Sequence, residues 1–303
     1  MSRARQSPSM AEPPSGIIEF MAAKSKSKAA CVIGWPVEHS RSPLIHGYWI
    51  KKYRINAEYR REEVRPEKFA DFVTHLSERG YVGANVTIPN KEAACALSKA
   101  DDRAEKVGAA NTLWLDGTTL RSTNTDVEGF INNLDVTTPG WNRGLDTVVV
   151  MGAGGTARAV VYGLSERGVK RIHVVNRTLD RAVALREEFG TRINPVRWEE
   201  LGGLLSSAGL LVNTTSLGMT GKPSLTVNLN RLPPSAVVAD VVYAPLETGL
   251  LASARARGLR VVDGLGMLLH QAVRGFELWF GVRPEVTPDL RALVEADLLR
   301  DQV

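Results

Sequence analysis

The sequence is poor in the features that mark specialised protein classes. It holds only two cysteines, Cys31 and Cys95, which excludes a disulfide framework and points to a reducing compartment. Its five histidines form neither an HExxH pattern nor a Cys/His pairing with zinc spacing, so no metal is expected. No apolar run approaches the ~20 residues of a membrane span, so no membrane partner is expected either. Excess charge is small, at +5. Arg3, Arg5, Lys24, Lys26 and Lys28, set against Glu12 and Glu19, place much of that excess before residue 29. The body that follows is close to neutral and lacks the basic stripe that nucleic acid requires. Glu12-Pro13-Pro14 interrupts the amphipathic helix of a transit peptide, so the expected location is the cytoplasm.

What is present is the alternation of an α/β protein. Residues 1–28, rich in Ser, Pro and charge, read as a disordered tail. Ala30 to Gly34 reads as a buried strand, and Ser42-Pro43 as an N-cap with proline at the first helical position. A helix to about Tyr53, a strand over Ala57–Val64 and a helix from Pro66 to Arg79 closed by Gly80 follow. Gly83 to Pro89 is a strand ended by proline, and Lys91 opens another helix. Asp116-Gly117, between Asn111–Leu115 and Leu120–Asn124, signals a hairpin. A second run starts near Asp126, with strands at Thr147–Met151, Arg171–Asn176, Leu210–Thr214, Val237–Val242 and Arg260–Val262. Helices between these strands imply a parallel sheet with right-handed crossovers. Two helices, Met267–Phe280 and Pro288–Leu299, close the chain.

Gly152-Ala153-Gly154-Gly155-Thr156-Ala157 fits G-x-G-x-x-G/A between a strand and a helix, the context of a dinucleotide fingerprint. The first glycine allows the tight turn, and the next lets a pyrophosphate reach backbone N–H groups at the helix N-terminus. On this motif alone FAD and S-adenosylmethionine fit as well. The next strand ends in Asn176-Arg177-Thr178, where an NAD site usually carries an acid for the ribose hydroxyls. Arg177 and Arg181 can converge on a 2′-phosphate instead, which favours NADP; the bland reading is two solvated surface arginines. Asp180 suits the helix N-terminus, although facing the ribose it would weaken the case for NADP.

Lys91 lies in a first helical turn, where a cation opposes the helix dipole at a cost of a few tenths of a kcal/mol. The position suits a proton-transfer group and equally a surface lysine. Asp126 reads as a functional acid or as the N-cap of the helix from Val127. Ser40 and Ser42 can receive a carboxylate at the start of the first helix, or Ser42 can simply cap it.

Taken in order, the motifs resemble the shikimate dehydrogenase family. They are Gly34-Trp35-Pro36-Val37-Glu38-His39-Ser40-Arg41-Ser42-Pro43 with His46, Asn85-Val86-Thr87-Ile88-Pro89-Asn90-Lys91, Gly108-Ala109-Ala110-Asn111-Thr112 and Asn124-Thr125-Asp126. The glycine loop and Asn176-Arg177-Thr178 follow, then Asn213-Thr214-Thr215-Ser216-Leu217-Gly218-Met219, Asp240-Val241-Val242-Tyr243 with Pro245, and Gly264-Leu265-Gly266-Met267-Leu268-Leu269-His270-Gln271. Each is modest alone; the ordered set is specific.

The resemblance implies an N-terminal α/β substrate domain (29–125 with 265–303), a Rossmann NADP-binding domain (126–264) and C-terminal helices packing back on the first domain. It implies Lys91 and Asp126 as catalytic residues, with Ser40, Ser42, Thr87 and Tyr243 around the substrate carboxylate. Asn85, Asn111, Asp126 and Gln271 would hold ring hydroxyls. The cofactor set would be Gly152, Gly154, Gly155, Ala157, Asn176, Arg177, Thr178 and Arg181, with Met267 beside the nicotinamide. The implied activity is NADP-dependent, reversible reduction of 3-dehydroshikimate to shikimate, on the route to chorismate and the aromatic amino acids, by a monomer or homodimer. Gly47, Asn90 and Ser122 depart from the family's usual residues, and the last two bear on how Lys91 and Asp126 are oriented. The competing readings are an NAD-dependent quinate/shikimate dehydrogenase and a non-catalytic NADP-binding sensor. Arg177 and Arg181 count against the first, the Lys91–Asp126 combination against the second.

Overall fold

The computed structural model describes residues 27–300. The expected disordered tail, except for its last two residues, lies outside them. In chain order the first half comprises β1 (Lys28–Gly34), α1 (Ser42–Lys52), β2 (Ala57–Glu63), α2 (Pro66–Thr74), β3 (Tyr81–Val86), α3 (Lys91–Ala96), β4 (Lys99–Ala100), α4 (Asp102–Val107), β5 (Thr112–Asp116) and β6 (Thr119–Thr123). Then come α5 (Asp126–Thr137), β7 (Thr147–Met151), α6 (Gly155–Glu166), β8 (Arg171–Asn176), α7 (Leu179–Phe189), β9 (Ile193–Arg197) and α8 (Leu201–Leu204). The last elements are β10 (Leu210–Asn213), β11 (Val237–Asp240), α9 (Gly249–Ala256), β12 (Arg260–Val262), α10 (Gly264–Phe280) and α11 (Pro288–Arg300).

The strands form two sheets of six. The first, ordered β2-β1-β3-β5-β6-β4, is mixed, because the β5–β6 hairpin turns antiparallel at Gly117 (φ 62°). At its edge, β2 carries the unbroken charge run Arg60-Arg61-Glu62-Glu63. The second sheet, β12-β11-β10-β7-β8-β9, is wholly parallel. Its order reverses between β7 and β10, which opens a crevice at their carboxyl ends, the usual ligand position in such sheets.

Helices cover both faces of both sheets. Val148, Val150, Val174 and Val212 pack under α5, α6 and α7 through Phe130, Ile131, Leu164 and Leu185. Val149, Met151, Leu211 and Val238 meet Leu250, Leu251 and Ala254 of α9 on the other face. Around the first sheet, α1, α10 and α11 contribute Ile45, Trp49, Phe276, Trp279, Leu290, Val294 and Leu298 to one core. Each such side chain taken from water contributes about 1.5–3 kcal/mol. Two indole N–H groups fasten this core, Trp279 Nε1 donating to Leu113 O (2.8 Å) and Trp49 Nε1 to Glu285 O (3.0 Å). The C-terminal helices thus return to the first sheet, as expected. No helix among the described residues is long and apolar enough to cross a membrane.

Several expectations shift at element ends. The N-cap of α1 is Arg41 and Ser42 is its first helical residue, so Ser42 does not cap. The cap of α5 is Thr125 rather than Asp126, which frees the Asp126 carboxylate for other partners. Helix α2 stops at Thr74, and turns carry the chain to Gly80 (φ 85°). Helix α10 begins at Gly264, three residues before Met267, because Asp263 accepts from Gly266 N–H (3.2 Å) and caps it. Strand β11 ends at Asp240, whose Oδ1 accepts from Val242 N–H (3.0 Å) and turns the chain. Strand β9, with Pro195 inside it, went unforeseen; proline is tolerated there because β9 is an edge strand.

The two halves meet where α5 crosses α10. At Gly129 an added Cβ would stand 2.7 Å from Met267 O and 2.8 Å from Gln271 Cβ; at Gly266 it would overlap the Asn133 amide. Gly129→Ala sets about 1 kcal/mol of helix propensity gained against an overpacking cost of about 1–3 kcal/mol. Backbone resists displacement, so the variant should melt below the unaltered protein. A thermal denaturation midpoint equal to or above that of the unaltered protein would show that α10 yields instead.

Candidate active site

Two sharp turns and two helix starts build the site. The chain leaves β1 through Gly34-Trp35-Pro36 and leaves β3 through Thr87-Ile88-Pro89, and the two loops bond through Trp35 N–H to Ile88 O (3.3 Å). They line a cleft of about 300 Å³ that also takes in the starts of α5 and α10. The cleft gathers Ser40, Ser42, Asn85, Thr87, Lys91, Asn111, Asp126, Tyr243, Met267 and Gln271, all ten residues assigned to the substrate and nicotinamide side, and reaches Thr156 of the glycine loop.

Lys91 is the first residue of α3 and Asp126 the first of α5. Lys91 Nζ donates to Asp126 Oδ2 at 2.5 Å, with the lysine side chain 19% and the aspartate 9% exposed. The other carboxylate oxygen, Oδ1, accepts from Asn111 Nδ2 at 2.8 Å. Asn111 also donates to Gln271 Oε1 (3.4 Å), and its Oδ1 accepts from Thr125 N–H (2.7 Å). Gln271 Nε2 donates to Leu268 O (3.1 Å), which fixes that amide along α10. Asn85 Nδ2 donates to Asn111 O (3.3 Å) and Thr112 Oγ1 (3.2 Å). On the opposite wall, Ser40 Oγ accepts from Ser42 N–H (3.3 Å), and Arg61 holds the Ser40 carbonyl (2.8 Å). Burial pushes the Tyr243 phenol above its ordinary range, while the Arg41 guanidinium opposes that rise; the hydroxyl stays protonated and able to donate.

Three buried residues, Asn124, Thr112 and Thr125, support the wall from behind without lining the cleft. Asn124 Oδ1 accepts from Asp126 N–H (3.1 Å) and its Nδ2 donates to Ala109 O (2.9 Å). Thr112 and Thr125 share a hydroxyl contact of 3.2 Å behind Asn111. The Asn124-Thr125-Asp126 run was the available signal, and only its last member suggested chemistry. Two of the three departing residues, Asn90 and Ser122, are buried, and Asn90 Nδ2 and Ser122 Oγ find no hydrogen-bond partner among the described residues. Neither touches the Lys91–Asp126 bond through a hydrogen bond.

The glycine loop lies at the start of the 12-residue α6. Gly152 takes φ 108°, and a Cβ on it would meet Thr214 Oγ1 at 2.6 Å, so turn and packing both demand glycine. Gly154 and Gly155 face open space, with no atom within 4 Å of an added Cβ. A pyrophosphate can therefore approach the N-terminal N–H groups of α6. Ala157 is fully buried in the sheet core, so its contribution is helix-to-strand packing rather than contact. Beyond β8, Asn176 Nδ2 donates to Thr178 O (2.7 Å) and Thr178 is the N-cap of α7. Arg177 and Arg181 are exposed, and neither guanidinium enters an ion pair among the described residues. Asp180 sits in the first turn of α7, as expected of a residue answering the helix dipole. Across the crevice Asn213 Nδ2 donates to Asp240 Oδ1 (2.9 Å), tying the loops after β10 and β11 together.

Family models match along the chain: the shikimate dehydrogenase substrate binding domain over residues 32–113, shikimate / quinate 5-dehydrogenase over 142–220, and the shikimate 5′-dehydrogenase C-terminal domain over 264–294. The chain belongs to the shikimate dehydrogenase family. It is 64% identical over 279 residues to the shikimate dehydrogenase (NADP(+)) of Nitrobacter hamburgensis, covering 92% of this chain and 98% of that one. A Rhodopseudomonas palustris relative of the same name is 64% identical over 274 residues, 90% of this chain and 99% of its own. Among solved structures, Thermus thermophilus shikimate 5-dehydrogenase in complex with NADP(H) and shikimate superposes with a TM-score of 0.76 at 33% identity, covering 90% of this chain and 99% of that one. Corynebacterium glutamicum quinate dehydrogenase in complex with NAD gives 0.81 at 32% identity, covering 89% and 99%.

Proposed function

We propose that this chain interconverts 3-dehydroshikimate and shikimate with NADP(H), in the cytoplasm, with a substrate-binding part (29–125 and 265–303) and a nucleotide-binding part (126–264). The observation that carries the reading is the Lys91–Asp126 pair, held at 2.5 Å in a cleft that also reaches the glycine loop. When bound, NADPH supplies the hydride to the ketone carbon. Everything else is asked of the protein. The Lys91 ammonium donates a proton to the ketone oxygen in reduction, and the amine takes it from the hydroxyl in oxidation. Asp126 holds Lys91 by Oδ2 and, through its remaining acceptor capacity, receives a neighbouring ring hydroxyl. Asn111 and Gln271 offer further polar groups to the ring. Ser40, Ser42, Thr87 and Tyr243 offer hydroxyls to the carboxylate.

The open glycine platform and Arg177 and Arg181, exposed and without an ion pair among the described residues, fit a dinucleotide with a 2′-phosphate. They count against the NAD-dependent quinate alternative, and a sensor has no use for a proton donor. Oxidation of shikimate and of quinate, each with NADP and with NAD, followed at the nicotinamide absorbance, tests the assignment; turnover of quinate with NAD alone would overturn it.

Replacing Arg177 and Arg181 together by neutral residues should raise KM for NADP far more than KM for NAD. Unchanged discrimination would remove both from cofactor choice.

Lys91→Ala should lower kcat by roughly 10²–10⁴-fold, the range for a positioned acid or base, with a smaller change in KM for shikimate. Lys91→Arg keeps the charge but cannot lose its proton at working pH, so it should bind substrate and remain slow. Steady-state kinetics, with NADPH binding as the control, decide the point. A raised KM with kcat intact would mean that the lysine serves binding rather than proton transfer.

A further inference from the structure

Gly108-Ala109-Ala110 precede Asn111 in one motif, and Arg158 directly follows the glycine loop. None of the four has a place in the chemistry described so far. The two segments meet. Arg158 N–H donates to Gly154 O (3.1 Å), so the residue closes the first turn of α6, the helix whose N-terminus is the open glycine platform. Its guanidinium leaves α6 sideways and does not line the cleft. Nε donates to Val107 O (2.5 Å), Nη2 pairs with Glu188 of α7, and Cζ stands 5.9 Å from the centre of the Phe189 ring. Val107 is the last residue of α4 and is fully buried, so its carbonyl goes without a partner only at a cost. Gly108 completes the fit: it takes φ 66°, and a Cβ on it would stand 2.5 Å from Arg158 Nη2, so turn and guanidinium both require glycine.

From Val107 the chain runs directly to the Lys91–Asp126 pair. Ala109 O accepts from Asn124 Nδ2 (2.9 Å), Ala110 N–H donates to Lys91 O (2.9 Å), and Asn111 Nδ2 donates to Asp126 Oδ1 (2.8 Å). Helix α4 is also tied to α5, Arg103 Nη1 donating to Glu128 Oε1 (2.6 Å). Val107, Ala109, Val127 and Ala159 pack in one small apolar cluster between these helices. Such packing holds them together but sets no direction. Direction comes from the planar guanidinium, whose fork can hold Val107 O and Glu188 at once. We propose that Arg158 is a positioning residue that fixes the spacing between the glycine platform and the segment holding Lys91 and Asp126. The cofactor is seated by α6 and the substrate ring by the cleft. The nicotinamide carbon and the ketone carbon therefore meet in a reactive geometry only while the two seats keep their spacing. Arg158 touches neither reactant, and its effect passes through Val107 O and the four residues that follow.

This role rests on the shikimate reading, and the test separates the two. Arg158→Gln and Arg158→Lys are compared with the unaltered enzyme. Glutamine removes charge and fork; lysine keeps the charge but offers a single ammonium in place of the fork. In Arg158→Gln, kcat for shikimate oxidation should fall roughly 10–100-fold, the scale of a displacement on the order of 1 Å between reacting atoms. Dissociation constants for NADP alone and for shikimate alone should change less than about twofold, since neither seat contains Arg158. The deuterium isotope effect on kcat, with shikimate labelled at the carbon that loses hydride, should be at least as large as in the unaltered enzyme, because the hydride step itself is slowed. Arg158→Lys should fall between the two. A role in packing alone lowers the melting temperature while kcat per NADPH-binding site stays within about twofold, and that outcome overturns the proposal. So does weakened NADP binding with kcat intact, which would make Arg158 a cofactor contact. Should Arg158→Gln fail to fold, Arg158→Lys carries the same comparison, and full kcat in it overturns the proposal. No turnover of shikimate by the unaltered enzyme would overturn the functional reading, and this inference with it; turnover with unchanged kcat in Arg158→Gln overturns this inference alone.

Discussion

Asn111 is the point on which the site depends. Its Oδ1 accepts from the backbone N–H of Thr125 (2.7 Å), its Nδ2 donates to Asp126 Oδ1 (2.8 Å) and reaches Gln271 Oε1 (3.4 Å), and its carbonyl takes Asn85 Nδ2 (3.3 Å). One buried residue, through its side-chain amide and its backbone carbonyl, therefore joins the end of β3, the start of α5 and the third turn of α10. An unpaired polar group at that depth costs about 1–3 kcal/mol, so these bonds have no cheap alternative and the elements carrying them hold their relative places. The Lys91–Asp126 contact inherits its geometry from this arrangement. Asn111 holds Asp126 Oδ1 while Lys91 takes Oδ2, and Asn124 Oδ1 accepts from the Asp126 backbone N–H.

Glycine makes such an arrangement possible at close quarters. Gly129 and Gly266 let α5 and α10 approach until backbone meets side chain, and Gly264 lets α10 start directly beneath the Val241 and Val242 carbonyls. Met267 and Gln271, two of the four α10 residues that line the cleft, are the residues that abut Gly129. Packing between the halves and placement of the cleft wall are therefore one constraint, met by the same small residues.

The sequence spoke clearly where the governing physics is local. Alternating strand and helix patterns, the Asp116-Gly117 hairpin and the glycine loop all rest on periodicity or on backbone conformation within a few residues. Ordered motifs located the ten cleft residues, since each motif carries its own turn or helix start. Long-range bonds were the blind spot. Thr112 and Thr125 are 13 residues apart and meet only because β5 and α5 are juxtaposed by the hairpin. Tyr59 and Asn85 are 26 residues apart and pair through two parallel strands. Helix caps failed for a related reason: Ser42 and Asp126 are good capping residues by type, but each stands one residue inside its helix, and the lysine contact claims the Asp126 side chain. The glycines at 264 and 266 look like breakers on paper, whereas Asp263 caps α10 ahead of them and tertiary closeness selects them.

The strand that supplies Tyr59 has no neighbouring strand on its outer flank among the described residues. Edge strands invite a second copy to add on, and antiparallel self-pairing is the simplest way for two identical chains to do so. Centred between Arg60 and Arg61, such a pairing would set arginine opposite arginine and Glu63 opposite Glu58, whereas centred between Arg61 and Glu62 it would set Arg61 opposite Glu62 and Arg60 opposite Glu63. Like charges directly across a ladder repel. The charge run on β2 thus sorts registers rather than closing the flank: the first is disfavoured, the second favoured, and the strand that sets Tyr59 against Asn85 stays lined with charge.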